Sequence, residues 1–299
     1  MLSILIPIYN YNVYPLVLEL HRQCLECEIE FEIVCQDDAS GSNLNVENEK
    51  INLLSNSSFK SLKENIAHRK NRNLLAEKAK YNYLLFIDGD SNMISSNYIS
   101  NYIQNIQDFD IVYGGRLHPN LCPSDMQKLR WKYGKYTEDK TCENRKKTPF
   151  KSLLFNNTLI KKECFNKVKF DSFLIKYGHD DTQLSYQLSL LEAKVNHINN
   201  PIEHGDIDNN SSFISKMKSS LENLIYLYEE KKITQNFSKL ISLLLLLNKL
   251  KLTYFVSKFY LQYEKIIFKQ LEGNNSSLFV FNLFRIGYLC NLYTTKTRS

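Results

Sequence analysis

Short apolar runs alternate with helix-period patterns through the first two thirds of the chain. Five such runs predict buried strands. The segments between them predict helices, because their apolar positions recur every three or four residues. Strands that alternate with helices predict an α/β fold, in which helices cover a mostly parallel sheet. The predicted strands are 2–6, 31–35, 59–62, 83–87 and 111–113, and the predicted helices are 13–27, 44–54, 65–80 and 96–107.

The pattern changes twice further along the chain. Residues 116–150 are basic and weakly periodic, which predicts a mobile loop. After about residue 210 the strand signals end, and only helical patterns follow. The later predicted elements are a regular segment at 153–160, a helix at 180–192, a strand at 195–198 and helices at 213–230, 237–248, 252–271 and 278–292. We therefore predict an α/β domain over residues 1–210 and a helical extension over residues 211–299.

The composition is that of a folded protein. With 43% hydrophobic residues and only 9 Gly and 6 Pro, it excludes a disordered tail and a collagen-like rod. The seven cysteines are scattered, and the close pair Cys24 and Cys27 has no second pair to complete a zinc site. We therefore expect reduced thiols and a cytoplasmic protein. No apolar run approaches the roughly 18 residues that a membrane-spanning helix needs, so no transmembrane helix is expected.

Polar groups follow three of the predicted strands, at residues 7–10, at residues 36–40 and at Asp88-Gly89-Asp90. In open sheets of this kind, ligands bind beyond the carboxyl ends of the strands. Two carboxylates a few ångströms apart repel each other, and a divalent cation is the usual neutralising partner. The Asp-Gly-Asp sequence therefore predicts a Mg²⁺ or Mn²⁺ site that carries a diphosphate. The alternative is a simple turn with a helix cap at Ser91.

These motifs together resemble those of a GT-A glycosyltransferase of the inverting family 2. Residues 3–10, 32–40 and 86–90 fall in the family's order and spacing. Residues 177–184 are similar to the galactosyltransferase-like acceptor motif Gly-x-Glu-Asp, and residues 200–204 are similar to a segment with a late metal-binding histidine. The resemblance covers about the first 205 residues. It implies a GT-A (Rossmann-like) fold and metal-dependent transfer of a sugar from a nucleotide diphosphate donor.

The resemblance also implies roles for residues on the donor side. Tyr9 would stack on the nucleobase, and Asp38 would accept a hydrogen bond from its imide N–H, as is typical of UDP-sugars in this family. Arg72 would lie near the same pocket or the phosphates, although an arginine on a helix surface is as often simply solvated. Asp90 would be the principal ligand of Mn²⁺ or Mg²⁺, and His204 would complete the shell. The other implied donor-side residues are Pro7, Asn10 and Asp88, of which Asp88 would touch the ribose or the metal.

The acceptor side of the resemblance rests on two adjacent carboxylates. Asp181 is the candidate general base, because inversion by single displacement needs a carboxylate that accepts the acceptor hydroxyl's proton. Asp180, where the family more often has Glu, would bind the acceptor sugar's hydroxyls. The alternative is that both are first-turn acids that complement a helix dipole. The implied acceptor is a glycan or glycolipid in bacterial surface polysaccharide synthesis.

Two further features leave the protein's partners open. Residues 130–170 hold twelve Lys or Arg residues against four Asp or Glu. This segment would close over the diphosphate, rest on anionic lipid or be merely solvated. Residues 278–285 would lie in a membrane interface, pack in the core or form an oligomer contact. No recognition helix accompanies the basic charge, so nucleic acid is not an expected partner. The expected location is the cytoplasm, either free or at the inner face of the cell membrane.

Two other functions compete with the glycosyltransferase. A phosphohydrolase of the haloacid-dehalogenase type would use Asp88 and Asp90 as nucleophile and acid, but its Asp-x-Asp normally follows the first strand of the domain. A non-catalytic subunit that binds sugar nucleotides would keep the fold without turnover. The presence of Asp88, Asp90, Asp181 and His204 argues against that subunit.

Overall fold

A computed structural model describes residues 1–174 and 176–296, which divide into two compact units. Ile175 and residues 297–299, which fall within the predicted domain and the predicted extension, lie outside the described residues. The first unit holds residues 1–118, 139–172 and 184–206. The second unit holds residues 119–138, 173–183 and the chain from residue 207 onward. Two segments that precede residue 206 in sequence therefore belong to the same unit as the C-terminal helices.

The chain forms the following strands and helices. The strands are β1 (Leu2–Ile8), β2 (Phe31–Asp37), β3 (Ser57–Ser61), β4 (Tyr83–Ile87), β5 (Ser91–Asn92), β6 (Ile111–Tyr113), β7 (Arg116–Leu117), β8 (Asn157–Lys161), β9 (Val195–His197) and β10 (Ile202–His204). The helices are α1 (Tyr14–Glu26), α2 (Asn45–Asn48), α3 (His68–Lys78), α4 (Tyr98–Gln104), α5 (Lys128–Tyr133), α6 (Cys142–Lys146), α7 (Lys162–Val168), α8 (Asp180–Leu190), α9 (Asn210–Glu229), α10 (Lys239–Lys249), α11 (Thr253–Glu272) and α12 (Leu278–Lys296). Short 3-10 turns at 49–53, 125–127, 150–152 and 235–237 and a π-helical turn at 134–138 complete them.

Within the described residues, seven strands form the main sheet of the first unit, in the order β3-β2-β1-β4-β8-β6-β9. β3, β2, β1 and β4 run parallel to one another, β8 lies antiparallel between β4 and β6, and β9 pairs parallel with β6. The prediction of an α/β fold with a mostly parallel sheet is confirmed.

Alternate residues of the central strands pack on opposite faces of this sheet, as the two-residue period of a strand requires. Ile4 and Ile6 of β1 join one core with residues of α1 and α4. Leu5 joins a second core, which includes Leu75 of α3 and Phe165 of α7. Both faces of the sheet are therefore covered, which explains why the central strands are continuous apolar runs rather than alternating ones.

A second, three-stranded sheet in the first unit has the order β5-β10-β7. β10 runs antiparallel to β5, with His204 opposite Ser91, and parallel to β7. Because Ser91 directly follows Asp90, this pairing brings the end of β10 to the turn after β4. The sequence analysis did not predict β10, whose three residues are too few to show a period.

The second unit is helical, and its apolar core draws on α5, α9, α10, α11 and α12. Gly287 of α12 lies against Tyr260 of α11, and a Cβ at Gly287 would lie 2.6 Å from the Cβ of Tyr260. Glycine therefore lets these two helices approach closely. Phe281 and Phe284 are fully buried in this core, whereas Phe279 is 71% exposed. Most of the apolar stripe predicted at residues 278–285 is thus packed core.

The prediction of a mobile loop over residues 116–150 is wrong. This stretch contains β7, α5 and α6, and several of its basic and aromatic side chains serve as hydrogen-bond donors. In the second unit, the Trp131 indole donates to the carbonyl of Pro119 at 2.8 Å. In the first unit, the buried Arg145 donates to the carbonyls of Lys140, Gly114 and Ile198. These anchors are not periodic in sequence, so the pattern of apolar positions could not reveal them.

Among the described residues, no single helix combines the length and apolar character needed to cross a bilayer. α10 and α11 meet that requirement only when taken together, and the chain bends by 112° at the break between them.

Candidate functional site

The turn after β4 carries Asp88, Gly89 and Asp90 at the carboxyl end of a central strand. A Cβ at Gly89 would lie 3.2 Å from both the Pro7 carbonyl oxygen and the Val13 Cγ1. Any larger residue would push this turn away from the end of β1. Glycine therefore seats the two carboxylates close to the loop that follows the neighbouring strand.

Asp88 forms an ion pair with an arginine. The guanidinium of Arg72, on α3, donates to Asp88 Oδ1. Arg72 is buried and lies 5.3 Å over the ring of Phe170. The two readings of Arg72 from sequence were a donor-pocket residue and a solvated surface arginine, and the structure excludes the solvated one.

Asp90 is paired with His204. Its Oδ2 lies 3.2 Å from His204 Nδ1, and its backbone carbonyl accepts a hydrogen bond from Gly205 N at 2.7 Å. Burial acts to raise the pKa of Asp90, but the hydrogen bond and charge of His204 and the charge of Arg116 outweigh it, so the pKa lies below its usual value. The other carboxylate oxygen, Oδ1, is buried and accepts no hydrogen bond from the residues that the structure describes. An ionised carboxylate with one unused buried oxygen is suited to a cation.

The ring of His118 packs against the ring of His204. The two rings meet edge to face with their centroids 5.5 Å apart. His118 is buried, and Asp139 Oδ1 lies 2.6 Å from its Nδ1 while Asp139 Oδ2 accepts from its backbone N–H at 3.0 Å. The sequence analysis did not single out His118. No local signal identifies this contact, because Asp139 is 21 residues away in a stretch without periodicity. We call Arg72, Asp88, Asp90, His118 and His204 the strand-end cluster.

The two carboxylates at the end of β2, Asp37 and Asp38, bond to different parts of the chain. Asp37 Oδ2 accepts from Ser40 N at 3.0 Å and from Ser61 Oγ at 2.8 Å. Burial acts to raise the pKa of Asp37, but the hydrogen bonds of Ser40, Ser61 and Asn45 together lower it. Asp38 Oδ1 accepts from the backbone N–H of Ile66 at 2.8 Å. Asp37 fixes its own loop, and Asp38 ties that loop to the segment that leads into α3.

The backbone is left-handed at three non-glycine residues that flank these strand ends. Asn10 and Ala39 both have φ of +55°, and Ala67, just before α3, has φ of +69° and ψ of 151°. Asparagine tolerates this region, but alanine does so at a cost of about 1–3 kcal/mol. Tyr9, beside Asn10, is 63% exposed. Strain of this kind clusters at ligand-binding sites, and the exposed Tyr9 ring is accessible to a ligand.

In the second unit, residues 176–181 form a segment held by α9, which we call the Gly178 segment. Ser219 Oγ accepts from Tyr177 N at 3.1 Å, and the Asn223 amide donates to the Gly178 carbonyl. Gly178 has φ of +84°, and a Cβ there would lie 2.6 Å from Ser220 Oγ. Only glycine satisfies both the backbone angle and the close approach to α9.

The Gly178 segment ends in the first turn of α8, where Asp180 and Asp181 lie partly buried. The preceding residue, His179, is also left-handed, with φ of +61°, and its Nδ1 lies 3.1 Å from Thr182 Oγ1. Burial, with a smaller contribution from Arg285, lowers the pKa of His179 to about 4. The imidazole is therefore neutral at neutral pH, beside two carboxylates whose ionised form the helix N-terminus favours.

The sequence of residues 3–168 matches the family model described as "Glycosyl transferase family 2". That range is more than half of the chain and includes β1 to β4 with the motifs at their ends. The chain belongs to glycosyl transferase family 2. The resemblance inferred from the strand-end motifs is thereby confirmed, and the protein is a glycosyltransferase. Family membership sets aside the phosphohydrolase and the non-catalytic subunit.

Two other proteins of known structure share the fold of this family 2 chain. Residues 1–349 of TarS from S. aureus align with a TM-score of 0.53 and 16% identity, covering 99% of this chain and 91% of that one. The same TarS fragment in complex with UDP-GlcNAc aligns with a TM-score of 0.52 and 15% identity, covering 99% and 92%. The mannosyltransferase PcManGT from Pyrobaculum calidifontis, in complex with GDP-Man and Mn²⁺, aligns with a TM-score of 0.50 and 13% identity, covering 75% and 63%. No curated protein matches the chain by sequence.

The predicted metal residues of this glycosyltransferase are only partly brought together. Asp90 and His204 form a pair, whereas Asp88 is engaged by Arg72. Across residues 1–174 and 176–296, no group of three or more His, Cys, Asp or Glu side chains is arranged to hold a metal ion. Asp180 and Asp181 lie in the second unit, in the Gly178 segment. The roles implied for the individual site residues remain predictions.

Proposed function

We propose that this glycosyltransferase moves a sugar from a UDP-sugar to a glycan or glycolipid acceptor with inversion, and that it uses Mn²⁺ or Mg²⁺. The observation that carries the proposal is the Asp90–His204 pair at the end of β4, with a buried carboxylate oxygen that accepts no hydrogen bond within residues 1–174 and 176–296. The donor class has the support of structural neighbours in complex with UDP-GlcNAc and GDP-Man. The PcManGT complex, which contains Mn²⁺, supports the choice of cation.

The pair is sufficient for a cation of this kind. Mg²⁺ and similar ions are commonly bound through one or two protein groups together with substrate phosphates, so a preformed cluster of three ligands is not required. When bound, the cation neutralises the charge that grows on the departing diphosphate. Asp90 Oδ1 and His204 would hold it. Because Arg72 already balances the charge of Asp88, we assign Asp88 to the ribose hydroxyls rather than to the metal.

The loops after β1 and β2 would bind the nucleobase. The exposed ring of Tyr9 offers a face for stacking. Tyr9 lies two residues after Pro7, and the next residue, Asn10, has a left-handed backbone that fixes the shape of this loop. The Ile66 N–H holds Asp38 in place by one carboxylate oxygen. Asp38 would then accept a hydrogen bond from the imide N–H of uracil.

Asp181 would act as the general base. It would accept the proton of the acceptor hydroxyl as that oxygen attacks the anomeric carbon, and Asp180 would bind neighbouring acceptor hydroxyls. The placement of both at the N-terminus of α8 favours the ionised carboxylate that a base requires. By resemblance to the family, we assign the reaction to bacterial surface polysaccharide synthesis in the cytoplasm, at the inner face of the membrane.

Donor hydrolysis tests this proposal before any acceptor is known. The protein is incubated with a panel of UDP- and GDP-sugars in Mn²⁺, Mg²⁺ or EDTA, and nucleotide release is measured. We expect slow hydrolysis of a UDP-sugar that EDTA abolishes. Asp90→Asn should lose the metal-dependent part of UDP binding in a calorimetric titration, whereas Asp108→Asn, an exposed carboxylate of the same unit, should not. Equal UDP binding by the wild type in Mn²⁺ and in EDTA would refute the metal site.

A further inference from the structure

The outer face of α11 carries an apolar row that the core of the second unit leaves uncovered. Phe255, Phe259 and Ile266 are 66%, 53% and 66% exposed. Their spacings of four and seven residues place them on one line of the helix. Leu252, just before the helix, and Tyr263 extend the same line and are also exposed. The opposite face of α11, with Tyr260, Ile267 and Leu271, is buried in the core.

A row of lysines runs beside these apolar residues. Lys258, Lys265 and Lys269 are exposed and are spaced by seven and four residues, so they also fall on one line. Lys251, immediately before α11, adds a further exposed cation. We call the apolar and lysine rows together the α11 outer face.

Acidic residues are few along α11, where the exposed Glu272 ends the helix. Glu264 is the only acidic residue between Thr253 and Lys269. It accepts a hydrogen bond from the buried Tyr260 hydroxyl at 2.6 Å and lies 3.6 Å from Lys218 Nζ, so it is occupied on the side that faces the core. The α11 outer face is therefore apolar and positively charged over most of a helix that is about 30 Å long.

We propose that the α11 outer face docks this protein on an anionic lipid bilayer. Phe255, Phe259 and Ile266 would enter the boundary between headgroups and acyl chains, and the lysines would contact the lipid phosphates. Amphipathic helices that lie in the membrane interface carry this arrangement, with apolar side chains in the bilayer and lysine side chains that keep their charged ends in water. A second copy of the chain paired antiparallel about a two-fold axis fits less well, because that pairing would set one lysine row against the other.

Vesicle co-sedimentation tests this proposal with the full chain. We expect association with vesicles of phosphatidylcholine and phosphatidylglycerol, little association with phosphatidylcholine alone, and weakening as salt is raised. The triple variant Lys258→Gln, Lys265→Gln, Lys269→Gln should bind the anionic vesicles about 100-fold more weakly. The control variant Lys60→Gln, Lys78→Gln, Lys194→Gln, which removes three exposed lysines of the first unit, should bind within a few fold of the wild type.

A second variant separates lipid docking from self-association. Phe255→Ser with Phe259→Ser should weaken vesicle binding without changing the molar mass measured by light scattering. A dimer of the wild type that this variant abolishes, with no binding to vesicles, would overturn the proposal in favour of a second copy. Equal vesicle binding by the two triple variants would overturn it as well. Neither result bears on donor hydrolysis, so this proposal and the proposed function fail independently.

Discussion

The strand-end cluster and the Gly178 segment place their carboxylates by different physical means. In the first, Asp88 and Asp90 follow directly from a buried strand, and ionic partners from α3 and β10 fix their side chains. In the second, the backbone is fixed by side chains of α9, and Gly178 and His179 both adopt left-handed angles. The sheet therefore positions the residues proposed to hold the donor, whereas a C-terminal helix positions the candidate base.

This difference changes the role expected of the C-terminal helices. The sequence pattern suggests an extension appended to a finished domain. In the structure, residues 173–183 belong to the unit that contains α9 to α12. Changes in that unit should therefore lower transfer while leaving donor binding intact, whereas changes in the strand-end cluster should weaken donor binding and lower transfer with it.

Loss of the candidate base should have the largest effect. Asp181→Asn should lower sugar transfer by about 10²–10⁴-fold, because a general base contributes on that order, while UDP affinity stays within a few fold. Transfer rates and calorimetric titration measure the two quantities. Asp180→Asn serves as the matched comparison and should affect mainly the acceptor KM. A fully active Asp181→Asn enzyme would remove this residue as the base.

Removal of the support behind His204 should have the next largest effect. His118→Ala should weaken Mn²⁺-dependent UDP binding by about 10–100-fold, the range found for groups that orient metal ligands. His21→Ala is the control, because His21 is also a buried histidine of the first unit but is not part of the strand-end cluster, and its Nε2 lies 3.0 Å from both the backbone oxygen and the hydroxyl of Ser55. If both variants bind UDP with equal affinity, the contact between His118 and His204 does not contribute to UDP binding.

Gly178→Ala tests the packing of the Gly178 segment on α9. Alanine should destabilise the protein by about 2–4 kcal/mol, from the left-handed backbone and the clash with Ser220 together. Gly41→Ala isolates the backbone contribution, because Gly41 has φ of +62° and, among the described residues other than its chain neighbours, no heavy atom lies within 4 Å of a Cβ there. It should cost only about 1–2 kcal/mol. Urea unfolding measures both. Equal losses in the two variants would show that the close approach to Ser220 is unimportant.

Acid should lower the stability of the second unit by protonating His179. We expect this to be the smallest of the predicted effects. Its pKa is about 4 in the folded protein and 6.5 ordinarily, so the unfolded chain binds the proton more readily. The contribution of the neutral imidazole is fully present above pH 6.5 and is lost as the pH falls from 6.5 towards 4. His179→Gln should flatten this decline by about 1–2 kcal/mol in unfolding measured at several pH values. A profile identical to that of the wild type would contradict the assignment.

The sequence predicted those parts of the site that follow long apolar runs. Asp38, Asp88 and Asp90 come directly after strands whose burial is evident from composition, so their place at one edge of the sheet follows from parallel topology. His204 was found only by resemblance to the family, because β10 is too short to show a period. Arg72 was placed near the donor without its partner, since Asp88 is 16 residues away.

Other features depend on contacts that no local pattern encodes. The link from Asp139 to His118 joins two residues of a stretch that reads as loop, and the hold of α9 on Gly178 joins segments about 45 residues apart. The left-handed backbone at Ala39 and Ala67 also escapes sequence analysis, because alanine carries no signal for that conformation. Tertiary contacts impose these features, so only coordinates reveal them.

The most direct test of the central claim is a crystal structure of the complex with UDP and Mn²⁺, with the ion located by its anomalous scattering. We predict an anomalous peak within coordination distance of Asp90 Oδ1 and a nitrogen of His204, with Arg72 still on Asp88. A peak elsewhere, or UDP bound with its diphosphate remote from Asp90, would contradict the account.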